Sequence, residues 1–122
     1  MTPVTWQRVE SIAIALAVVV FTVVGFGYAW WWLLALFLVF DLSAVGYLAG
    51  PKVGAWCYNA GHSYVGPVVA AGAFAVVGAD WLMVTALAWA FHIAIDRALG
   101  YGLKHDDDFQ HTHLGWIGNK RH

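Results

Sequence analysis

From Ser11 to Phe40 the chain carries no Asp, Glu, Lys or Arg. Few folds accept such a run. About 20 apolar residues cross the hydrocarbon core of a bilayer as a helix, so this stretch holds more than one crossing. Gly25-Phe26-Gly27-Tyr28 interrupts it with turn-forming residues and marks the division. Charge-free runs recur over Val53–Ala79 and Trp81–Ile95, set apart by Gly50-Pro51 and Gly78-Ala79-Asp80. The pattern predicts an all-α polytopic membrane protein, a four-helix antiparallel transmembrane bundle with short turns and a polar C-terminal tail. Its spans fall at roughly 6–25, 29–49, 52–77 and 81–100 within a bundle of residues 1–103, and 104–122 form a cytoplasmic tail or lid.

Composition closes the soluble alternative. Charged residues make up 11% of the chain, against about 25% in soluble domains. A chain of 122 residues cannot hide so many apolar faces in one core. A cleaved signal peptide fits the first segment poorly, because Arg8 and Glu10 flank it and no small-residue cleavage site follows. The single Cys57 excludes an intramolecular disulfide. A net charge of −1 leaves no nucleic-acid footprint.

Orientation follows from the cations. Antiparallel spans put Arg8, Lys52, Arg97, Lys104, Lys120 and Arg121 on one side, and the turns near Gly27 and Gly78 hold no Lys or Arg. Such asymmetry in short loops predicts a multi-pass protein of the cytoplasmic membrane with N- and C-termini inside. Trp30, Trp31, Trp32 and Trp81 mark the outer interface, and Trp6, Trp56 and Trp116 the inner one. Gly46, Gly50 and Gly54 recur every four residues, and the third segment is rich in Gly and Ala, so the third helix is expected at the centre. Pro67 removes a backbone N–H and predicts a kink that frees the Ser63 carbonyl.

Ionisable groups inside spans are costly and mark function by default. With a rise of about 1.5 Å per residue, Asp41, His62 and His92 fall roughly 12–15 Å from the inner boundary. Asp96 lies one turn below His92 on the same face, and Glu10 sits nearer the boundary on the first helix. Every helix thus offers an acid or a histidine to the inner half. Imidazoles and carboxylates converging from facing helices are how bundles build metal sites. In the tail, His111 and His113 would point the same way if extended, as paired ligands do, with Leu114 and Trp116 tucked against the bundle mouth. Each group also has a plainer reading. The His/Asp contacts serve equally as ties between helices, Arg97 as a counter-charge to Asp96 or a snorkelling cation, and Asp106–Asp108 as a solvated linker.

Asp41-Leu-Ser-Ala-Val-Gly46-Tyr47-Leu-Ala-Gly50-Pro51 is followed by Tyr58-Asn59-x-x-His62-x-Tyr64-x-x-Pro67. A third motif, His92-Ile-x-x-Asp96-Arg97-x-x-Gly100-Tyr101-Gly102-Leu103-Lys104, leads into Phe109-x-x-Thr112-His113-Leu114-Gly115. Together these resemble the signatures of a bacterial family catalogued as domain of unknown function 4260. The resemblance covers nearly the whole chain beyond the first helix. It implies a small multi-span membrane protein whose polar motif positions are Asp41, Asn59, His62, His92, Asp96 and His113.

Three functional classes stay open beside an interaction or scaffold role, in which the buried groups only pair helices. The first is a metal-binding membrane protein acting as a metal-dependent hydrolase on a lipid-soluble substrate. Asp41, His62, His92, Asp96 and His113 are its ligands, and Tyr58, Asn59 and Arg97 orient substrate or steady developing charge. Mixed imidazole and carboxylate ligands suit zinc, iron or manganese, and a lone thiol speaks against copper(I). The second is a haem held between His62 and His92 for electron transfer. The third is a relay of protons or a small solute along the Asp/His chain. Partners in all three are the lipid bilayer and, for the first, the lipid-soluble substrate. A homo-oligomer is compatible with each, and a nucleic acid with none.

Overall fold

Helix α1, Pro3–Val20, starts on Thr2, whose hydroxyl accepts the Thr5 N–H at 3.2 Å, with Pro3 in the first turn, where its missing N–H costs nothing. It continues as a wider π turn over Phe21–Gly25. The computed structural model describes residues 1–103 and 111–116. Helix α2, Trp31–Ala35, passes into a 3-10 segment, Phe37–Ala49. Helix α3 is Pro51–His62, α4 is Val65–Val77 and α5 is Asp80–Leu99. Strands β1 (His111–Thr112) and β2 (Gly115–Trp116) form a minimal antiparallel hairpin.

These pieces assemble into four apolar crossings, Pro3–Gly25, Trp31–Ala49, Pro51–Val77 and Asp80–Leu99. The all-α four-helix reading therefore holds. Their outward faces are apolar, with Val24, Leu38, Leu48 and Val76 exposed, as lipid requires. Two hydroxyls of the first crossing are satisfied by their own helix. Ser11 Oγ donates to the Gln7 carbonyl at 2.8 Å and Thr22 Oγ1 to that of Val18 at 2.7 Å. The two ends of the bundle are tied across the chain. Arg8 Nε donates to the Ala98 carbonyl at 2.9 Å, and at the far end the Tyr28 hydroxyl donates to Asp80 Oδ1 at 2.9 Å.

Three expectations need correction. The third segment is not the centre of the bundle. Helix α5 is, packing on α1, α2, α4 and the 3-10 segment, while α3 lies mainly against the 3-10 segment. Ala86, Ala88 and Ala94 are buried on α5 and let neighbours approach it from several sides. The kink expected at Pro67 is instead a full break: Ser63 is extended (φ −100°, ψ 154°), and Pro67 sits in the first turn of α4. The second crossing is largely 3-10 in place of a continuous α-helix.

Of the tail, residues 104–110 and 117–122 lie outside the described residues, and with them the readings of His105, Asp106–Asp108 and the distal cations. The described hairpin returns to the end of α5: His113 N–H donates to the Leu103 carbonyl at 2.8 Å, and Thr112 is buried.

Candidate metal centre

The break in the third crossing sets the site. His62 is the last residue of α3, where carbonyls lose their intrahelical partners. Backbone of this kind survives at membrane depth only where protein surrounds it. Helix α5 supplies the partners: Trp89 Nε1 donates to the Gly61 carbonyl, and Arg97 Nη2 reaches the His62 carbonyl at 3.5 Å. The ring of Tyr58, one turn earlier, stacks flat on the His62 imidazole, 3.8 Å between centroids and 2° between planes. His62 is thereby clamped at a helix end.

His92 and Asp96 come from α5 one turn apart, and Asp41 from the 3-10 segment. The two imidazoles are buried, at 3% and 0% exposure. His92 Nε2 lies 3.1 Å from Asp41 Oδ1 and 3.1 Å from Asp96 Oδ2. His62 Nε2 lies 3.4 Å from each of the same oxygens. The two Nε2 atoms are 3.2 Å apart. One ligand atom from each of the four residues falls within 4.8 Å of all the others.

Proton assignments follow from the outer contacts. His62 Nδ1 is 3.0 Å from the Tyr58 carbonyl, and His92 Nδ1 contacts the Phe37 carbonyl. A carbonyl oxygen only accepts, so each Nδ1 must carry the hydrogen. In a neutral imidazole that leaves Nε2 as a bare lone pair. Two such nitrogens and two carboxylate oxygens then converge with no hydrogen among them. Four acceptors at this spacing repel unless a cation lies between them. Backbone carbonyls holding the remote ring nitrogen are also the usual outer support of metal-bound histidines.

The spacing suits a metal ion. Ligand bonds of about 2.0–2.2 Å in a tetrahedron put neighbouring ligand atoms about 3.3–3.5 Å apart. The five contacts that involve an imidazole run from 3.1 to 3.4 Å, and the two carboxylate oxygens lie within 4.8 Å of each other. The Asp41 side chain is 48% exposed against 16% for Asp96, so the site opens on the Asp41 side.

A family model described as a domain of unknown function (DUF4260) matches residues 4–117. The chain belongs to that family. No curated protein and no solved structure matches it. Of this DUF4260 chain's sequence-predicted residues, Asp41, His62, His92 and Asp96 meet in one place. His113 does not join them; its Nδ1 accepts the Leu103 N–H at 2.7 Å beside Gly102. Glu10 stands exposed on α1 outside the group, so the first crossing contributes no ligand to it. Tyr58 supports His62 directly, and Asn59 is half-buried on the same turn. Arg97 engages the Tyr64 ring, 4.8 Å from its centroid, and makes no ion pair with Asp96. Phe37 is the supporting residue that sequence reasoning missed, because a backbone carbonyl leaves no mark in sequence. Trp89 shares the face of His92 by helical spacing, and only the fold shows its indole on the Gly61 carbonyl.

Proposed function

We propose that this protein binds one divalent metal ion, zinc foremost, through His62, His92, Asp41 and Asp96. The observation that carries the reading is the convergence of four acceptor atoms within 4.8 Å of one another, the imidazole nitrogens 3.1–3.4 Å from each other and from both carboxylates, with both imidazoles held by carbonyls at their other nitrogen. Charge agrees, because two carboxylates and a divalent ion sum to zero in a medium where uncompensated charge is costly. We assign the site to the cytoplasmic half of the bilayer, with both termini cytoplasmic, from the one-sided Lys and Arg distribution.

The reaction class we favour is hydrolysis of a lipid-soluble substrate reaching the open Asp41 side. A bound ion would supply Lewis acidity and an acidified water. In this reading Asn59 would orient substrate, and Tyr58, stacked on the His62 ring, would hold that ligand in position. Haem fits poorly, since Nε2 atoms 3.2 Å apart with two carboxylates around them leave no room for a porphyrin plane. A proton is the second cation that answers the same geometry, which keeps the relay as the alternative reading.

Elemental analysis of detergent-purified protein tests the proposal beside His62→Ala and His92→Ala variants. The expected result is about one metal ion per chain in the wild type and loss in both variants. Protein that stays metal-free after incubation with zinc, iron(II) and manganese(II) would leave the proton reading in its place.

A further inference from the structure

Helix α5 presents a second face. Ala90 and His92 are two residues apart, about 200° around the helix, so the side opposite the metal centre carries Met83, Leu87, Ala90 and, two turns on, Arg97. There α1, α4 and α5 enclose an apolar groove of about 340 Å³, walled by Ile14, Tyr64, Ala71, Met83, Leu87 and Ala90. Tyr64 joins the groove to a cation, because the Arg97 guanidinium lies over its ring at 4.8 Å. Among the described residues no carboxylate pairs with Arg97, whose other contact is the long one to the His62 carbonyl. The Tyr64 hydroxyl is itself buried without a hydrogen-bond partner. A half-buried cation without a counter-ion and an orphaned hydroxyl meet at one end of an apolar trough.

We infer that this groove holds an anionic glycerophospholipid, its phosphate on Arg97 and one acyl chain along α5. Dimensions agree. Arg97 stands two residues before Leu99, the last residue of α5 and the inner end of the fourth crossing, and along the axis Ala90 is about 10 Å and Met83 about 21 Å away. One leaflet of hydrocarbon is about 15 Å thick, so a chain lying beside α5 from Arg97 passes Ala90 and reaches the level of Leu87, along the part of the groove nearer Arg97. A guanidinium matches phosphate oxygens in a two-pronged geometry that a zwitterionic headgroup, with its own cation, engages less well. Arg97 makes only the long 3.5 Å contact to the His62 carbonyl and supplies no ligand atom, so the lipid site adjoins the candidate centre without being part of it. The inference goes beyond the metal reading and does not rest on it.

Native mass spectrometry on the full chain tests it, using phosphatidylglycerol and phosphatidylcholine with identical acyl chains. The wild type is expected to retain phosphatidylglycerol about five- to tenfold better, the order of one Arg–anion contact near a membrane surface. Arg97→Gln should abolish the preference, and Arg97→Lys should restore part of it. Val68→Trp, which fills the groove from its lipid-facing wall, should lower retention of both lipids. Equal retention by the wild type would show that Arg97 only snorkels and would overturn the inference. So would a preference that survives Arg97→Gln, or retention indifferent to Val68→Trp. Metal content measured on the same samples separates the two proposals, because none of these substitutions removes a ligand.

Discussion

His92 is the most constrained side chain of the centre. It is fully buried, its Nδ1 is committed to the Phe37 carbonyl, and its Nε2 faces two carboxylates and a second imidazole. Asp41 differs in being half exposed. Asp41→Asn is therefore expected to leave the bundle folded while weakening metal binding at least tenfold, the lower end of what even outer-shell losses cost. Competition with a chromogenic chelator reads that affinity, and unchanged binding would remove Asp41 from the ligand set. At the far end of the bundle, partial burial, then the Asp80 hydrogen bond and charge, raise the Tyr28 phenol above its ordinary value. A phenol whose folded-state value is raised stabilises fully below its unfolded value of about 10 and loses that contribution as pH climbs through the folded one. Thermal stability of the wild type should thus fall more steeply above pH 10 than that of Tyr28→Phe.

Among the elements, the broken third crossing depends most on its neighbours. The Gly61 carbonyl has the Trp89 indole as its partner, and Gly66 makes space for that indole, since a Cβ at Gly66 would strike the ring. Trp89→Phe keeps the ring and removes the donor, leaving a buried carbonyl unsatisfied at a cost of about 1–3 kcal/mol. Gly66→Ala should act through the same contact by displacing the indole. The two substitutions are therefore expected to be less than additive in a double-mutant cycle measured by denaturant unfolding in detergent. Strict additivity would mean that Gly66 and Trp89 act separately. Gly54 has the same relation to Tyr47, whose ring occupies the space of its missing Cβ. Small residues in this chain serve side-chain rings as much as backbone approach.

For the whole molecule, the candidate centre joins the second, third and fourth crossings. Metal bound only by the folded state stabilises it by about 2.7 kcal/mol at a hundredfold excess over Kd. Chelation should lower the Tm of the wild type and leave a His62→Ala, His92→Ala double variant where it was. The ends of the bundle do not depend on the centre. Arg8 on Ala98 holds the first crossing to the fourth at one end, and Tyr28 on Asp80 holds the turn after the first crossing to the fourth at the other. The double variant is accordingly expected to remain inserted and helical by circular dichroism.

The four crossings and the division of the first charge-free run were legible in sequence, because a bilayer admits only long uncharged segments and turn-formers must fall between them. The shared depth of Asp41, His62 and His92 was legible for the same reason: helical rise converts sequence position into height. Which helix stands at the centre was not, since small residues permit close approach on any face and do not say which face is used. Nor was the break after His62. Pro67 announced a disturbance, but its place at Ser63 depends on Trp89 and Arg97 reaching across from α5 to take the freed carbonyls. His113 shows the converse. A histidine in a polar tail can bind either a metal or the nearest backbone amide, and the fold brings it to Leu103. Sequence determined height in the membrane, because solvent sets it residue by residue. Only tertiary structure decided direction, because direction depends on which partners the neighbouring helices supply.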